Sequence, residues 1–169
     1  MAAGNGRDHD FYQGKKQYIV ELSIHSDEHY MREAYKQALL ARDEGEIPVG
    51  AVVVADKRII ARAHNQTERL NDPTAHAEML AVTAASHYFG TKYLNECALY
   101  VTLEPCGMCA GALYWAQLGK LVYAAADEKR GFTAINPKMI HPKTKVFRGP
   151  MQKKASALVS DFFRQLRDK

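Results

Sequence analysis

Apolar residues recur with two different periods along the chain, and each period predicts one kind of element. A period of 3.6 residues marks residues 26–45 and 151–168 as amphipathic helices, with Ser26 as the N-cap of the first. Two runs rich in β-branched residues, Gly50–Ala55 and Arg58–His64, predict the two strands of a hairpin. Helices and a sheet therefore both belong to the predicted fold.

Helices and strands alternate in the second half of the chain. One helix is predicted from Asp72 or Thr74 to about Tyr88, with Pro73 in its first turn, and another over residues 105–119. Three apolar runs predict strands, over residues 98–103, 121–126 and 143–147. A strand–helix–strand unit with a right-handed crossover makes its two strands parallel. The whole pattern predicts an α/β fold, with one mixed sheet covered by helices.

Length and composition limit the class of protein. A chain of 169 residues that is 47% hydrophobic and 25% charged is typical of one soluble globular domain. Residues 26–169 carry the predicted elements, and residues 1–25 are interpreted as a flexible extension. No long apolar run predicts a membrane span, and the N-terminus lacks the apolar segment of a secretory signal. Three cysteines are too few for a disulfide framework, so a cytoplasmic protein with free thiols is expected.

Charge is distributed unevenly along the chain. Residues 129–169 hold eleven lysines and arginines but only two acids, a net charge of +9, whereas residues 1–128 have a net charge of −5. This basic C-terminal quarter favours a polyanionic partner, although a solvated basic face gives the same count. Lys153, Lys154 and Arg164, on the last predicted helix, are the candidate contacts for such a partner.

Two motifs carry side chains suited to chemistry. The stretch LEPCGMCAGALYW, which begins at Leu103, contains Cys106 and Cys109, and the stretch TAHAEML upstream contains His76 and Glu78. Two cysteines three residues apart suit a redox pair, half of a zinc knuckle, or two ligands of a catalytic metal. Both lie on one face at the predicted start of a helix, where free N–H groups and the helix dipole favour thiolates.

The upstream histidine favours the catalytic metal among these alternatives. The chain has no second C-x-x-C motif, and a catalytic zinc site needs one further ligand because its fourth position holds water. His76 is the natural third ligand, since its helix start can face that of Cys106 across one crevice. Glu78 is interpreted as the carboxylate beside the water, which zinc activates by lowering its pKa towards ~7.

These motifs resemble the bacterial tRNA-specific adenosine deaminases of the cytidine-deaminase-like superfamily. The arrangement H-x-E…P-C-x-x-C is the signature of zinc-dependent nucleobase deaminases. The resemblance covers roughly residues 27–168 and includes the stretches GEIPVGAVVV, NDPTAHAE, LYVTLEPC, YAAADEKRG and SDFFRQLR. Where that family commonly has GARD, this chain has AAAD at residues 124–127, so an arginine suited to a phosphate contact is missing.

The resemblance implies a fold, a reaction and partners. The fold would be a three-layer α/β/α sandwich around a mixed five-stranded sheet. One zinc ion per subunit would be held by His76, Cys106 and Cys109, and zinc-bound hydroxide would attack C6 of adenosine with Glu78 as the proton shuttle. The substrate would be the wobble adenosine of an arginine tRNA, which becomes inosine, and an unstacked loop base is easily flipped into a pocket. A homodimer is implied, with both subunits contributing to each RNA site.

Four further residues become substrate-pocket candidates through the same resemblance. Asn65 would hydrogen-bond the target nucleoside, and Pro48 and Val49 would help wall the base pocket. Asp127 would lie near the ribose and the flanking nucleotides. Asn65 also suits an ordinary turn and Asp127 the cap of a turn, so both have a structural alternative.

The remaining conspicuous side chains are assigned structural roles. Cys97 is interpreted as a small buried residue and not as a ligand. Tyr114 and Trp115 are interpreted as core or dimer interface, and Phe162 and Phe163 as core, with at most one of the two exposed near RNA.

Three functional hypotheses follow. The first is a tRNA adenosine deaminase, the second a zinc deaminase of a free base or nucleotide, and the third a non-enzymatic RNA-binding protein stabilised by zinc. The basic C-terminal quarter favours the first over the second. Glu78 counts against the third, because a structural zinc site does not need it.

Overall fold

The computed structural model of the chain describes residues 25–169. Residues 1–24, which make up all but one residue of the extension predicted for residues 1–25, lie outside the described residues. The elements follow the order α1 (Asp27–Asp43), β1 (Gly50–Ala55), β2 (Arg58–His64), α2 (Thr67–Leu70), α3 (Ala77–Phe89), β3 (Ala98–Leu103), α4 (Gly107–Trp115), β4 (Lys120–Ala125), α5 (Phe132–Ile135), a 3-10 turn (Pro137–Met139), β5 (Lys145–Arg148) and α6 (Gln152–Arg167). Ser26 is the N-cap of α1, as predicted, and its side chain accepts a hydrogen bond from the N–H of His29.

The five strands form one mixed sheet in the order β2-β1-β3-β4-β5. β1 pairs antiparallel with β2 and with β3, whereas the β3–β4 and β4–β5 pairs are parallel. The predicted hairpin is confirmed with its predicted bounds, and so is the parallel β3–α4–β4 unit. The hairpin turns at Asp56 and Lys57, both of which have positive φ angles, as tight hairpin turns require.

Helices cover both faces of the sheet. α3 and α4 pack on one face, where Ala81 and Leu113 belong to the larger hydrophobic core. α1 and α6 pack on the other face, where Met31 and Ala155 belong to a second core. The predicted three-layer α/β/α fold is therefore confirmed.

Helix α1 approaches the start of β1 so closely that only glycine fits there. A Cβ atom on Gly50 would lie 2.0 Å from the backbone oxygen of Ala34. The N–H of Gly50 also donates to Oγ1 of Thr102 at 3.1 Å, which ties the start of β1 to the end of β3. Pro48 and Val49, which precede Gly50, are thereby held at this edge of the sheet.

Helix α3 begins later than the sequence predicted. Its first residue is Ala77, not Asp72 or Thr74, and His76 is its N-cap, with extended backbone angles of φ −71° and ψ 152°. Asp72 caps a separate turn instead, because its carboxylate accepts hydrogen bonds from the N–H and the hydroxyl of Thr74. Pro73 consequently lies in that turn and not in the helix.

Helix α4 is shorter than predicted at both ends. It spans Gly107–Trp115 instead of residues 105–119, and Cys106 is its N-cap, with φ −71° and ψ 174°. Pro105 therefore precedes the helix and is not its first residue. The hydrophobic pattern also fails to predict α2, α5 and the 3-10 turn, because segments of three or four residues are too short to display a period.

The surface departs from the sequence interpretation at one aromatic side chain. Trp115 is 77% exposed, so its assignment to the core is wrong, and its assignment to an interface stays a prediction. Phe163 is the exposed member of its pair, and Cys97 is buried, as predicted. No helix within residues 25–169 has both the length and the apolar character needed to cross a lipid bilayer.

Candidate active site

One edge of the sheet gathers almost all of the predicted site residues. β1 begins at this edge and β2, β3 and β4 end there, because Gly50 pairs with His64 and Ala51 pairs with Val101. Helices α3 and α4 begin at the same edge. The carboxyl ends of parallel strands are the usual place for a ligand in α/β folds.

The three predicted metal ligands meet at this edge. Nδ1 of His76 lies 3.7 Å from Sγ of Cys106 and 3.5 Å from Sγ of Cys109, and the three ligand atoms all lie within 4.8 Å of one another. A tetrahedral zinc ion, with Zn–S bonds of about 2.3 Å and Zn–N bonds of about 2.0 Å, holds N and S ligands about 3.5 Å apart. The side chains therefore fit a zinc ion.

The number of ligands indicates a catalytic site and not a structural one. Within residues 25–169, no fourth histidine, cysteine or carboxylate joins the group. Structural zinc sites are closed by four protein ligands, whereas catalytic sites commonly use three. A structural zinc knuckle would need a fourth protein ligand, and the described residues do not supply one.

The first turn of α4 makes one of the two thiols strongly acidic. Hydrogen bonds with Cys109 and with His76 lower the pKa of the Cys106 thiol to about 4. The hydrogen bond to Cys106, together with burial, raises the pKa of the Cys109 thiol, and the hydrogen bond to Cys106 also raises the pKa of His76. These shifts favour the thiolate at Cys106, and a metal ion bound here would displace the proton of the Cys109 thiol.

Glu78 lies in the first turn of α3 with its side chain buried. Burial raises the pKa of its carboxyl to about 7, against opposing effects of its own backbone N–H and of His76. The carboxyl is close enough to Cys109 to affect the pKa of that thiol, yet it does not belong to the ligand group. A carboxyl with this pKa can both accept and donate a proton near neutral pH.

Asn65 presents an unused hydrogen-bonding atom at the end of β2. Its backbone N–H donates to the carbonyl oxygen of Val49 at 3.0 Å, and both residues are buried, as is Pro48. The side-chain oxygen of Asn65 is buried as well, yet it accepts no hydrogen bond from the described residues. Buried polar atoms nearly always have a partner, so this oxygen is available to a ligand, which an ordinary turn residue would not explain.

Asp127 caps a turn, which is the structural alternative to a contact with substrate. Its Oδ1 accepts hydrogen bonds from the N–H groups of Lys129 and Arg130 at 3.1 and 3.0 Å. Its own N–H donates to Oε2 of Glu104 at 3.0 Å. The residue is half-buried at the edge where β4 ends, so a contact with substrate stays a prediction that the cap does not exclude.

The candidate RNA contacts on α6 fall into two groups. Lys153 and Lys154 lie exposed in its first turn, and β5, which precedes it, ends at the edge of the metal ligands. Nζ of Lys154 lies 5.6 Å from the ring centre of Tyr35. Arg164 pairs with Asp161 at 2.9 Å and lies about 15 Å further along the helix, at 1.5 Å per residue. Of the three candidates, only the two lysines therefore lie towards the end of the sheet where the metal-ligand group lies.

Sequence analysis missed two buried carboxylates that hold the loops of the site. Glu104 accepts hydrogen bonds from the loop after β4, and Glu46 from the start of α2. The donors to Glu46 are the hydroxyl of Thr67 and the N–H groups of Glu68 and Arg69. The sequence did contain a signal for them, which is a glutamate inside an apolar stretch, in GEIPVG and in TLEPC. A glutamate that is buried with its apolar neighbours needs hydrogen-bonding partners.

Comparison with known proteins relates the chain to deaminases. The family model of the MafB19-like deaminases matches residues 25–167. The tRNA-specific adenosine deaminase of Aquifex aeolicus (strain VF5) is 42% identical over 146 residues, which cover 83% of this chain and 96% of that protein.

Two solved structures are similar as well. One, from biochemical and structural studies of A-to-I editing by tRNA:A34 deaminases at the wobble position of transfer RNA, is 38% identical with a TM-score of 0.72, covering 77% of this chain and 98% of that chain. The other, guanine deaminase from Bacillus subtilis, is 31% identical with a TM-score of 0.58, covering 84% of this chain and 94% of that chain.

Alanine substitution of each ligand should remove the metal. We expect His76→Ala, Cys106→Ala and Cys109→Ala each to lose bound zinc, because two protein ligands hold the ion far more weakly than three. Cys97→Ala is the matched control, since it removes a buried thiol outside the ligand group, and it should keep the zinc. Elemental analysis of the purified variants measures the zinc content, and release by Cys97→Ala with retention by Cys109→Ala would show the ligand assignment to be wrong.

Proposed function

The chain belongs to the family of tRNA-specific adenosine deaminases, and we propose a mechanism in which its residues catalyse hydrolytic deamination of the wobble adenosine of a tRNA anticodon loop to inosine. The observation that carries this proposal is the cluster of His76, Cys106 and Cys109 beside the buried carboxyl of Glu78. When zinc is bound by the first three residues, it lowers the pKa of water and so supplies a nucleophile at neutral pH.

Glu78 moves the protons of the reaction. Its carboxylate accepts a proton from the attacking water, and the resulting carboxylic acid donates a proton to the exocyclic nitrogen of adenine, which leaves as ammonia. The pKa of about 7 suits both steps, because a group with a pKa near the working pH serves as base and as acid. Burial keeps competing water away from the carboxyl.

Asn65, Pro48 and Val49 bind the target nucleoside in this proposal. The free side-chain oxygen of Asn65 accepts a hydrogen bond from the nucleoside, which relieves the cost of its burial. Pro48 and Val49 offer an apolar wall against the base, and the tie between Gly50 and Thr102 keeps that wall still. A base flipped out of an anticodon loop reaches such a pocket at low cost, because it is already unpaired.

The N-terminal end of α6 attracts the phosphates of the RNA. Lys153 and Lys154 add positive charge to the positive end of the helix dipole, and the first turn contains no acid to offset it. Positive side chains at this end destabilise the helix when nothing is bound, and they stabilise an anion that binds there. The arginine tRNA implied by the resemblance and a cytoplasmic location stay predictions.

We also propose that the protein acts as a homodimer through an apolar stripe on α4. Met108 and Trp115 lie seven residues apart and are exposed, with Gly111 and Ala112 between them. This spacing puts all four residues on one face of the helix, and a Cβ on Gly111 would meet nothing within 4 Å among the described residues. A second copy of the chain would cover this face.

Deamination of a free base is the second candidate function. It is favoured by the similarity to the guanine deaminase structure, because both reactions need the same metal ligands and proton shuttle. Efficient turnover of free guanine or cytosine, with no turnover of an anticodon stem-loop, would establish it in place of the first.

Glu78→Gln should keep the zinc but lose most of the activity. Glutamine preserves the size of the side chain and cannot take up a proton, and general acid–base groups typically contribute about 10²–10⁴-fold to the rate. Sequencing of an anticodon stem-loop after single-turnover incubation measures conversion of adenosine to inosine, and elemental analysis measures zinc. Loss of the metal would contradict the assignment of Glu78 as a shuttle, and full activity would contradict the mechanism.

Removal of positive charge from α6 should weaken RNA binding without slowing the chemistry. For the variant with Lys153, Lys154 and Arg164 changed to Ala, we expect a higher KM for the stem-loop and an unchanged kcat, because these side chains contribute uniform binding. The salt dependence of kcat/KM should also flatten, since each lost phosphate contact removes a slope of about −0.7 on single-stranded RNA.

The matched control also removes three charges, from the opposite edge of the sheet, where Lys57, Lys143 and Lys145 are exposed. Changing all three to Ala should leave the KM and the salt slope close to those of the parent protein. Equal effects of the two variants would mean that net charge, and not the position on α6, governs RNA binding.

Trp115→Glu should convert the dimer to monomers. Two carboxylates brought into an apolar interface without partners cost far more than the contact gains. Leu40→Glu is the control, because Leu40 is 47% exposed on α1, in the opposite helix layer, and its substitution should leave the dimer intact. Sedimentation velocity over a range of concentrations measures the association state, and a Trp115→Glu variant that remains dimeric would exclude this face.

A further inference from the structure

The carboxylate of Glu104 holds the loop that carries Asp127. Glu104 is 3% exposed and joins the end of β3 to the metal-ligand turn. Its Oε2 accepts the N–H of Asp127 at 3.0 Å, and its Oε1 accepts the N–H of Thr133 at 3.0 Å and also the hydroxyl of Thr133. Among the described residues, no cation pairs with it. The loop itself therefore supplies all the donors that make this buried carboxylate tolerable.

The loop packs closely against the side chain of Glu104 at Gly131. A Cβ on Gly131 would lie 2.4 Å from Cδ of Glu104 and 2.5 Å from the backbone oxygen of Asp127. The N–H of Phe132 donates to the carbonyl oxygen of Pro105 at 2.9 Å, and a β-bridge joins Gly131 to Cys106. The loop is thus fastened to the chain on both sides of the Glu104 side chain.

The two ends of the loop are held by different contacts. Gly131 and Phe132 are held by backbone contacts next to the metal ligand, and these contacts do not involve the Glu104 carboxylate. The carbonyl oxygen of Asp127 accepts the N–H of Gly131 at 2.9 Å, whereas the N–H of Asp127 donates to Oε2 of Glu104. Loss of the Glu104 carboxylate should therefore free the N–H end of Asp127 and leave the metal-ligand group in place.

We propose that Glu104 is a positioning residue, which holds Asp127 in place for the substrate contact that the family resemblance implies, and which takes no direct part in catalysis or metal binding. This inference rests on the proposed function. It assigns Glu104 an effect on substrate affinity that acts through one other residue. A residue needed only for folding would reduce the amount of active protein without this selectivity.

Glu104→Gln tests the inference, because the amide turns one of the two acceptor atoms into a donor that faces an N–H group. We expect the KM for an anticodon stem-loop to rise about tenfold or more, as is typical when one charge-assisted hydrogen bond is lost. The kcat should stay within about twofold and the zinc content should not change, because such a pattern marks lost uniform binding. Glu128→Gln, an exposed glutamate in the same loop, is the matched control and should behave like the parent protein.

A double-mutant cycle separates positioning from general structural support. If Glu104 acts through Asp127, then Glu104→Gln should raise the KM much less in an Asp127→Ala background than in the parent protein, because coupled residues are not additive. Additive effects on KM, or loss of zinc in Glu104→Gln, would overturn the inference.

Two variants of Thr133 test the inference without changing Glu104, in case Glu104→Gln does not fold. Thr133→Val removes one hydroxyl donor to Glu104 and should raise the KM in the same direction, whereas Thr133→Ser keeps the hydroxyl and should restore it. Equal KM values for the two variants would overturn the inference. A parent protein that does not deaminate the stem-loop overturns the proposed function, and the inference falls with it, whereas an active parent with additive variants overturns the inference alone.

Discussion

The chemistry of this protein depends on a constraint of topology, which is that helices α3 and α4 must begin at the same edge of the sheet. The hairpin of β1 and β2 returns the chain to the edge where β1 began, and α3 follows from there. β3 runs antiparallel to β1, so it ends at that edge and α4 begins there too. The side chains at the two helix starts, His76 and Cys106, meet although 30 residues separate them in the sequence. Any change of strand direction in this part of the sheet would pull them apart.

Three buried glutamates show how surroundings divide one residue type among different tasks. Glu46 and Glu104 each accept hydrogen bonds from backbone N–H groups and a hydroxyl of one loop, so their charge is compensated and holds structure in place. Glu78 is equally buried, but its pKa rises to about 7 because desolvation outweighs the interactions that stabilise its charge. The first two carboxylates are fixed acceptors, whereas the third is poised to exchange a proton.

Local patterns predicted the strands and the chemical motifs well, because a few consecutive residues are enough to define each of them. The hairpin strands, the parallel unit and the grouping of His76, Cys106 and Cys109, which could hold a metal ion, all follow from such patterns. The start of α3 did not, since Asp72 resembles a helix cap but satisfies a turn through Thr74. Glu104 escaped notice because its donors come from more than twenty residues further on, and no periodicity records a contact between distant loops.

The proposed preference for RNA over a free base rests on positive charge that a metal site alone does not need. A free purine is neutral and small, so an enzyme that acts on it gains nothing from cations at the mouth of its pocket. Here Lys153 and Lys154 lie in the first turn of α6, where the helix dipole already makes added positive charge unfavourable. Such a cost is understandable when an anion binds at that point and offsets it. In the proposed function, this anion is a phosphate that flanks the flipped base, because the base cannot enter the pocket without its flanking phosphates.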